Sequence, residues 1–381
     1  MTSADLTSAH PATPSVLTID LGALRANYRI LRDRTPGAEC AGVVKANAYG
    51  IGTEQAVRAL GKDGCKTYFV ATFDEAETVR DSAPEATVYV LDGFFAGSGP
   101  AFAEARARPV LSSLAEVRDW SSFCRERGEP LPAAIHVDTG MNRLGMPRGE
   151  AEELAGSEDL LGTIAPALLI SHLACADEPD NVMNEAQLKA FSDLRAMFPS
   201  CPASLANSGG IFLGPRYHFD LVRAGFALYG GRAVAGQPSL SPVVQLRARI
   251  AQIHDAKEGE TVGYGAAQKL DRNTRIATLS LGYADGIFRC LGANGEKPGL
   301  TGYIDGHSAP VLGRVSMDLI TLDVTDISDE IARRGAWVEI LGEHVSVDDL
   351  AEQAGTIGYE VLTSLTRRGQ RIYIESEKDN S

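Results

Sequence analysis

The sequence predicts a (β/α)₈ barrel followed by a mostly β domain, and three observations support this prediction. Short apolar runs alternate with helical patterns from about Ser15 to position 231, in close to eight repeats. The candidate reactive side chains stand where these runs end, as they do at the carboxyl ends of barrel strands. After Pro238 the pattern changes to alternating runs separated by Gly, Asp and Asn turns, which is typical of antiparallel strands.

The repeats follow one another along the chain. Predicted strands lie in the apolar runs at 16–19, 41–46, 68–72, 88–93, 109–113, 133–140, 164–174, 203–210 and 219–230. Predicted helices begin at Leu21, after Thr53 and near Ala101, and also span 73–81, 114–128 and 184–198. The chain therefore alternates strand and helix throughout its first part, which favours a barrel of the TIM type.

The predicted domain organisation has three parts. Residues 1–13 are small, polar and proline-bearing, so we expect a flexible leader there. The barrel is predicted over 14–237 and the β-rich domain over 238–381, with Gly236 and Pro238 in the linker.

Composition and charge exclude several classes of protein. The formal net charge is −14, from 50 acidic and 36 basic residues, and no basic cluster indicates nucleic-acid binding. No apolar run reaches the roughly 18 residues that span a bilayer. The six cysteines form no C-x-x-C pair and stand near no histidine at zinc-site spacing, so we expect reduced thiols, no metal site and a cytoplasmic location. Arg367, Arg368 and Arg371 are interpreted as a solvated face.

Lys45 is the first candidate for covalent chemistry. It ends the apolar segment VVKANAYG, and a lysine at a barrel mouth among apolar neighbours can have a pKa low enough to attack an aldehyde. Tyr49, Gly50 and Gly52 follow at positions suited to a phosphate. Taken alone, a lysine at the end of a strand is more often solvated and a loop tyrosine more often packs, so these interpretations stay open.

Eight short strings together resemble one family. They are VVKANAYG at 43–50, HVDTGMNRLGM at 136–146, SHLACADE at 171–178, ANSGG at 206–210, VRAGFALYGG at 222–231, VGYGAA at 262–267, LGYADG at 281–286 and GRVSMD at 313–318. In this order and spacing they resemble the alanine racemase family, the fold-type III pyridoxal-phosphate enzymes. The resemblance covers nearly all of residues 14–375.

The resemblance implies a two-base racemase. Lys45 would carry pyridoxal 5′-phosphate as a Schiff base and exchange the substrate Cα proton on one face. Tyr264 of VGYGAA would act on the other face, reaching the cofactor of the partner subunit in a homodimer. A phenol with an ordinary pKa near 10 is a poor base at neutral pH, so the family relates this tyrosine to a histidine and an arginine. His172 and Arg223 match these two residues, although a core histidine and a surface ion pair are the alternatives.

The resemblance also implies how the cofactor is held. Arg223 would face the pyridine nitrogen and leave it unprotonated, because a guanidinium does not give up its proton, and this weakens the ring as an electron sink. The phosphate would be bound by Tyr49, Ser208 and the backbone amides of Gly225 and Phe226, with Asn207 shaping the loop.

The substrate pocket follows from the same resemblance. Arg143 would lie near the cofactor's phenolic oxygen and the substrate carboxylate. Met317, through its backbone amide, and Asp318 would complete the pocket from the other subunit, and Tyr283 would narrow its entrance.

Two positions depart from the family pattern. Many relatives have a lysine that forms a carbamate where this chain has His136, so Arg143 needs another counter-ion, such as chloride, a neighbouring carboxylate or direct contact with His136. Some relatives place a tyrosine that contacts the phosphate in the register of Arg367, whose role here is open.

The implied activity is the interconversion of L- and D-alanine, supplying D-alanine for cell-wall peptidoglycan. The first alternative is a broad-specificity or serine racemase of the same fold, because one methyl group in a pocket is worth only about 1–3 kcal/mol. A decarboxylase would pair an acidic residue with the pyridine nitrogen, and a non-catalytic cofactor-binding protein would lack the base in VGYGAA.

Overall fold

The computed structural model describes residues 8–295 and 297–376, so the first part of the predicted leader at 1–13 lies outside the described residues. The chain divides into two compact units. One is Leu24–Ser241, and the other combines the described residues up to Ala23 with those from Pro242 onward. Within the described residues, no helix has both the length and the apolar character needed to cross a membrane.

The first strand, β1 (Ser15–Asp20), belongs to the β-rich sheet and not to the barrel. It pairs antiparallel with residues 244–248 and parallel with residues 370–374. The prediction that this strand opens the barrel is therefore wrong. A buried run followed by a helix gives the same pattern in either sheet, because periodicity records burial and not the pairing partner.

A parallel sheet of eight strands forms the barrel unit in the described part of the chain. The strands are β2 (Glu39–Val43), β3 (Thr67–Val70), β4 (Thr87–Val90), β5 (Ala107–Leu111), β6 (Pro132–His136), β7 (Ala165–Ile170), β8 (Ala203–Ser204) and β9 (Leu221–Ala224). Their order is β8-β7-β6-β5-β4-β3-β2-β9. Backbone N–H groups of Asp220 and Arg223 donate to the carbonyls of Ala203 (3.0 Å) and Ala206 (2.9 Å), so the two end strands meet and the barrel closes.

Helices alternate with these strands, as the sequence predicted. They are α1 (Leu21–Asp33), the short segment α2 (Lys45–Tyr49), α3 (Thr53–Lys62), α4 (Phe73–Ser82), α5 (Gly99–Glu104), α6 (Leu114–Arg127), α7 (Arg148–Ala155), α8 (Glu158–Thr163), α9 (Val182–Arg195) and α10 (Ser208–Phe212). Side-chain caps start several of them: Ser113 accepts from the Glu116 amide, and Asn181 from the Met183 amide. The helices predicted over 73–81 and 114–128 are confirmed.

The β-rich unit is organised by one long strand, β10 (Val244–Ala256). The other elements are β11 (Thr261–Val262), β12 (Gln268–Lys269), β13 (Thr274–Leu279), β14 (Thr301–Ile304), β15 (His307–Leu312), β16 (Ile320–Asp323), β17 (Trp337–Leu341), α11 (Val347–Ala354), α12 (Gly358–Ser364) and β18 (Gln370–Ile374). The sheet order is β13-β16-β15-β14-β17-β10-β1-β18, and β13 also pairs with β10. That extra pairing closes part of the sheet into a ring, which confirms the mostly β character.

Candidate active site

The predicted site residues of the barrel unit gather at the carboxyl ends of neighbouring strands. Lys45 follows β2, His136 ends β6, His172 follows β7, Ser208 follows β8 and Arg223 lies in β9. Because the strand order brings β6, β7, β8, β9 and β2 side by side, these side chains share one edge of the barrel.

Lys45 begins a left-handed turn. Ala46, Asn47, Ala48 and Tyr49 have φ angles of 53°, 54°, 51° and 52°, a conformation that costs non-glycine residues roughly 1–2 kcal/mol each. Such strain persists only where surrounding contacts fix the backbone, and it concentrates at functional sites. Only the nearby glycines and Asn47 indicate such a turn at the level of the sequence.

Several contacts hold this turn in place. The Ala48 amide donates to the Val44 carbonyl at 2.9 Å, and the Asn47 Oδ1 accepts from the Thr53 amide at 3.2 Å. The Tyr49 ring stacks on Tyr229 with 4.6 Å between centroids. The turn that follows Lys45 is therefore fixed at both ends.

The surroundings of Lys45 favour its neutral, nucleophilic form. Burial lowers the pKa of Lys45 most, and the positive charges of Arg143 and Arg223 lower it further, while Asp92 and Glu75 oppose this. A lysine with a lowered pKa is a larger fraction free amine at neutral pH, which is what attack on an aldehyde requires.

Arg223 is buried, with 4% of its surface exposed, and it donates mainly to backbone carbonyls. Its Nη1 donates to the Ser204 carbonyl (2.9 Å) and to the Ser204 hydroxyl (2.6 Å), and its Nη2 to the Ser171 carbonyl (2.6 Å). No ion pair to a carboxylate is found for it among the described residues. Burial lowers the pKa of Arg223 to about 10, so it remains a cation at neutral pH. The alternative of a surface ion pair is therefore wrong.

His172 lies between Arg223 and Asn207. Its Nδ1 is 3.5 Å from Arg223 Nη2, and its Nε2 is 3.5 Å from Asn207 Nδ2. Burial first, and then the charge of Arg223, hold the pKa of His172 well below its usual range, so the ring is neutral. Gln187 Nε2 donates to the His172 carbonyl at 2.9 Å and fixes this backbone.

A cluster of hydrogen-bonding groups suited to an anion lies beside Arg223. The Ser208 hydroxyl accepts from the amides of Gly225 (2.9 Å) and Ala227 (3.2 Å). A Cβ on Gly225 would lie 2.7 Å from the Tyr49 hydroxyl, so a larger residue there would have to displace Tyr49. Phe226 is buried directly after Gly225. The amide of Gly210 donates to Asn207 Oδ1 at 2.9 Å, which fixes the loop before Ser208.

Asp138 shapes the loop that presents Arg143. Its Oδ1 accepts from the amides of Gly140 (3.0 Å), Met141 (3.0 Å) and Asn142 (3.2 Å). The Arg143 side chain that follows is exposed and lies near enough to lower the pKa of Lys45. Arg143 therefore adds positive charge beside the lysine.

His136 is the first of the two positions at which this chain departs from the family pattern. Its Nδ1 lies 3.1 Å from the Ser112 hydroxyl. Burial first, and then Arg223, lower the pKa of His136 to about 4. At neutral pH it therefore carries no charge, and it offers Arg143 no counter-ion.

This lowered pKa predicts a loss of stability in mild acid. An unfolded histidine titrates near 6.5 and the folded His136 near 4, so between these values the unfolded chain binds the extra proton. The free energy of unfolding should therefore fall by about 2 kcal/mol from pH 7 to pH 5 through His136 alone. Chemical denaturation at both pH values should show a smaller fall for His136→Asn. The control His307→Asn changes an exposed histidine and should keep the full fall; an equal fall in all three proteins would contradict the prediction.

The remaining predicted residues lie in the β-rich unit, where their strings come together. The Tyr283 amide donates to the Ser316 carbonyl and the Ala284 amide to the Met317 carbonyl, both at 3.0 Å. A Cβ on Gly265 would lie 3.0 Å from the Arg314 guanidinium, which places VGYGAA beside GRVSMD. The segments that carry Tyr264, Tyr283 and Met317 are thus neighbours in one unit.

Three of these large side chains are exposed. Tyr264 is 72%, Met317 53% and Tyr283 43% exposed. Asp318 pairs with Arg368 at 2.6 Å. Arg367, beside it, is exposed, and nothing in the structure assigns it a role.

Sequence reasoning missed several residues that support the site. Ser204 holds Arg223, Ser112 holds His136, and Glu75 accepts from the Ala46 amide at 2.6 Å. Only Glu75 had a sequence signal, because Thr72 and Glu75 have the spacing of a helix capping box. Within the described residues, no group of His, Cys, Asp and Glu side chains is arranged to hold a metal ion.

Comparison with known proteins places the chain in a family. The family models for the alanine racemase N-terminal and C-terminal domains match residues 19–233 and 243–373. The chain belongs to the alanine racemase family.

Individual members of the family match over the full length. The alanine racemase of Methylobacterium sp. (strain 4-46) is 48% identical over 370 residues, which is 97% of this chain and 99% of that protein. The biosynthetic alanine racemase of Agrobacterium fabrum is 45% identical, covering 97% of this chain and 96% of that protein.

A solved structure agrees with the fold. The alanine racemase of Bartonella henselae, crystallised with covalently bound pyridoxal phosphate, has a TM-score of 0.90 and 38% identity, covering 95% of this chain and 99% of that one. The (β/α)₈ barrel with a mostly β second part is therefore the family's architecture.

Proposed function

We propose that this protein is a pyridoxal-phosphate-dependent alanine racemase. One observation supports this most: a lysine with a lowered pKa shares a barrel edge with a buried arginine that has no carboxylate partner among the described residues. A decarboxylase of this architecture would need an acidic residue in place of Arg223.

The residues of the barrel edge fit pyridoxal phosphate. Lys45 would bind its aldehyde covalently, and the phosphate would take hydrogen bonds from Tyr49, Ser208 and the amides of Gly225 and Phe226. Arg223 would face the ring nitrogen, donating a hydrogen bond without giving up a proton. When bound, the cofactor withdraws electrons from the substrate and so acidifies its Cα–H bond.

Two side chains of the protein move the proton. The Lys45 amine takes it from, or returns it to, one face of Cα, and Tyr264 serves the opposite face. Neutral His172, hydrogen-bonded to cationic Arg223, can donate to the Tyr264 oxygen and stabilise its basic form. Arg143 attracts the substrate carboxylate, while the Met317 amide, Asp318 and Tyr283 bound the pocket.

The site would be completed by a second copy of the chain. Tyr264, Met317 and Tyr283 are exposed and lie on neighbouring segments, and exposed apolar side chains that cluster mark candidate protein interfaces. We therefore propose a homodimer in which the β-rich unit of each copy supplies Tyr264 to the other's Lys45. The D-alanine so formed would serve peptidoglycan synthesis in the cytoplasm.

The experiment is a racemisation assay of the purified protein with L-alanine, L-serine and L-lysine, with and without added pyridoxal phosphate. We expect D-alanine as the main product and a dependence on the cofactor. Efficient turnover of serine with none of alanine would replace this proposal by a serine racemase, and no turnover of any amino acid by cofactor-loaded protein would reject it.

A further inference from the structure

Glu75 contacts two separate elements through one carboxylate. Its Oε2 accepts from the amides of Ala71 (2.8 Å) and Thr72 (3.4 Å), which is the ordinary capping of helix α4. Its Oε1 accepts from the amide of Ala46 at 2.6 Å, 29 residues away in the sequence. Capping α4 does not require this second contact.

The second contact falls at the start of the strained turn. Ala46 is the first of the four left-handed residues after Lys45, and its N–H points out of the turn. A hydrogen bond from an amide to a carboxylate is about twice as strong as one between neutral groups. It is therefore well placed to offset part of the turn's conformational cost.

Glu75 also balances charge around the lysine. The charged groups that act on Lys45 are the cations Arg143 and Arg223 and the anions Asp92 and Glu75. The histidines of this edge, His136 and His172, are neutral. Of the two anions, Glu75 alone has a hydrogen bond to the lysine's own turn.

We propose that Glu75 is a positioning residue for Lys45, fixing the left-handed turn that presents the amine and supplying negative charge against Arg143 and Arg223. This rests on the proposed role of Lys45 as the cofactor lysine. Glu75 touches neither the reacting atoms nor the cofactor in this proposal, and it acts through the turn.

Two substitutions separate the hydrogen bond of Glu75 from its negative charge. Glu75→Gln keeps an oxygen that can accept from Ala46 but removes the charge, whereas Glu75→Ala removes both. Asp74→Asn is the matched control, because Asp74 is an exposed carboxylate in the same first turn of α4.

Two kinds of measurement test this role. The first is the uptake of pyridoxal phosphate by cofactor-stripped protein, monitored by visible absorption, which gives a rate and a pH midpoint. The second is steady-state kinetics with alanine, which gives kcat and KM. Removing the charge lowers the pKa of Lys45, so we expect the uptake midpoint of both Glu75 variants to move about one unit to lower pH. Glu75→Ala should also lose about tenfold in uptake rate and in kcat with little change in KM. Asp74→Asn should match the unsubstituted protein.

The outcomes distinguish this inference from the proposed function. Failure of the unsubstituted protein to take up the cofactor would reject the proposed function. The inference is wrong if the unsubstituted protein takes up the cofactor and both Glu75 variants have the same uptake midpoint and rate as that protein. If these variants also melt at a lower temperature, Glu75 only caps α4. If Glu75→Ala does not fold, the Glu75→Gln midpoint decides alone.

Discussion

Replacing Tyr264 by phenylalanine is expected to slow the interconversion of L- and D-alanine by about 10²- to 10⁴-fold, the usual contribution of a positioned acid or base. The substitution removes one oxygen from a side chain that is 72% exposed, so the fold should be unchanged. Racemisation by two bases needs a proton donor and acceptor on both faces of Cα, and in the proposed mechanism Lys45 serves only one face.

Deuterium exchange gives this prediction a sharper test. In D₂O, the Tyr264→Phe protein should still exchange the Cα hydrogen for deuterium in the enantiomer whose proton Lys45 would remove. In the other enantiomer this exchange should be very slow. Tyr359→Phe is the matched control, because it removes a hydroxyl from a tyrosine of α12 that is 39% exposed and has no role in the proposed site. Unchanged racemisation in both directions by Tyr264→Phe would end the two-base proposal.

Lys45→Ala is expected to remove the covalent attachment of pyridoxal phosphate and to lower racemisation by about 10⁴-fold or more, because it deletes both the nucleophile and one base. The protein should lose its visible absorption, and borohydride treatment should no longer fix the cofactor to the chain. Mass spectrometry of the borohydride-treated proteins measures this directly.

The control for Lys45 is a lysine elsewhere on the barrel unit. Lys66 is exposed and lies just before β3, so Lys66→Ala should keep both colour and activity. Borohydride fixation of the cofactor to the Lys45→Ala protein, at another lysine and with full activity, would show that the wrong lysine was chosen.

Most of the barrel could be predicted from the sequence, because each strand is a buried apolar run and each helix has a polar face. The error at β1 shows the limit of this approach. All six residues of Ser15–Asp20 are buried, and the run precedes a helix as a barrel strand does. Only long-range pairing with residues 244–248 and 370–374 distinguishes the two cases.

The site was predicted less evenly. Motif strings predicted Lys45, Arg223 and Ser208 as site residues, and the structure brings these three residues to one edge of the barrel. The left-handed turn was not predicted, because two of the three residues in the string A-N-A are alanines, which disfavour positive φ, and one asparagine is a weak signal. The pairing of Arg223 with Ser204 was also missed, because hydrogen bonds between neighbouring strands leave no local periodicity.

The position of β1 in its sheet has a consequence for how the chain is made. About 350 residues separate Asp20 from Gln370, where β18 begins, so a ribosome adding about 5–20 residues per second needs roughly 20–70 s between them. For roughly the first 220 residues of that stretch, until β10 begins at Val244, the N-terminal strand has neither neighbour. An unpaired apolar strand attracts other chains, so the nascent protein is most prone to aggregate before β10 emerges, and one edge of the strand stays unpaired until β18 follows.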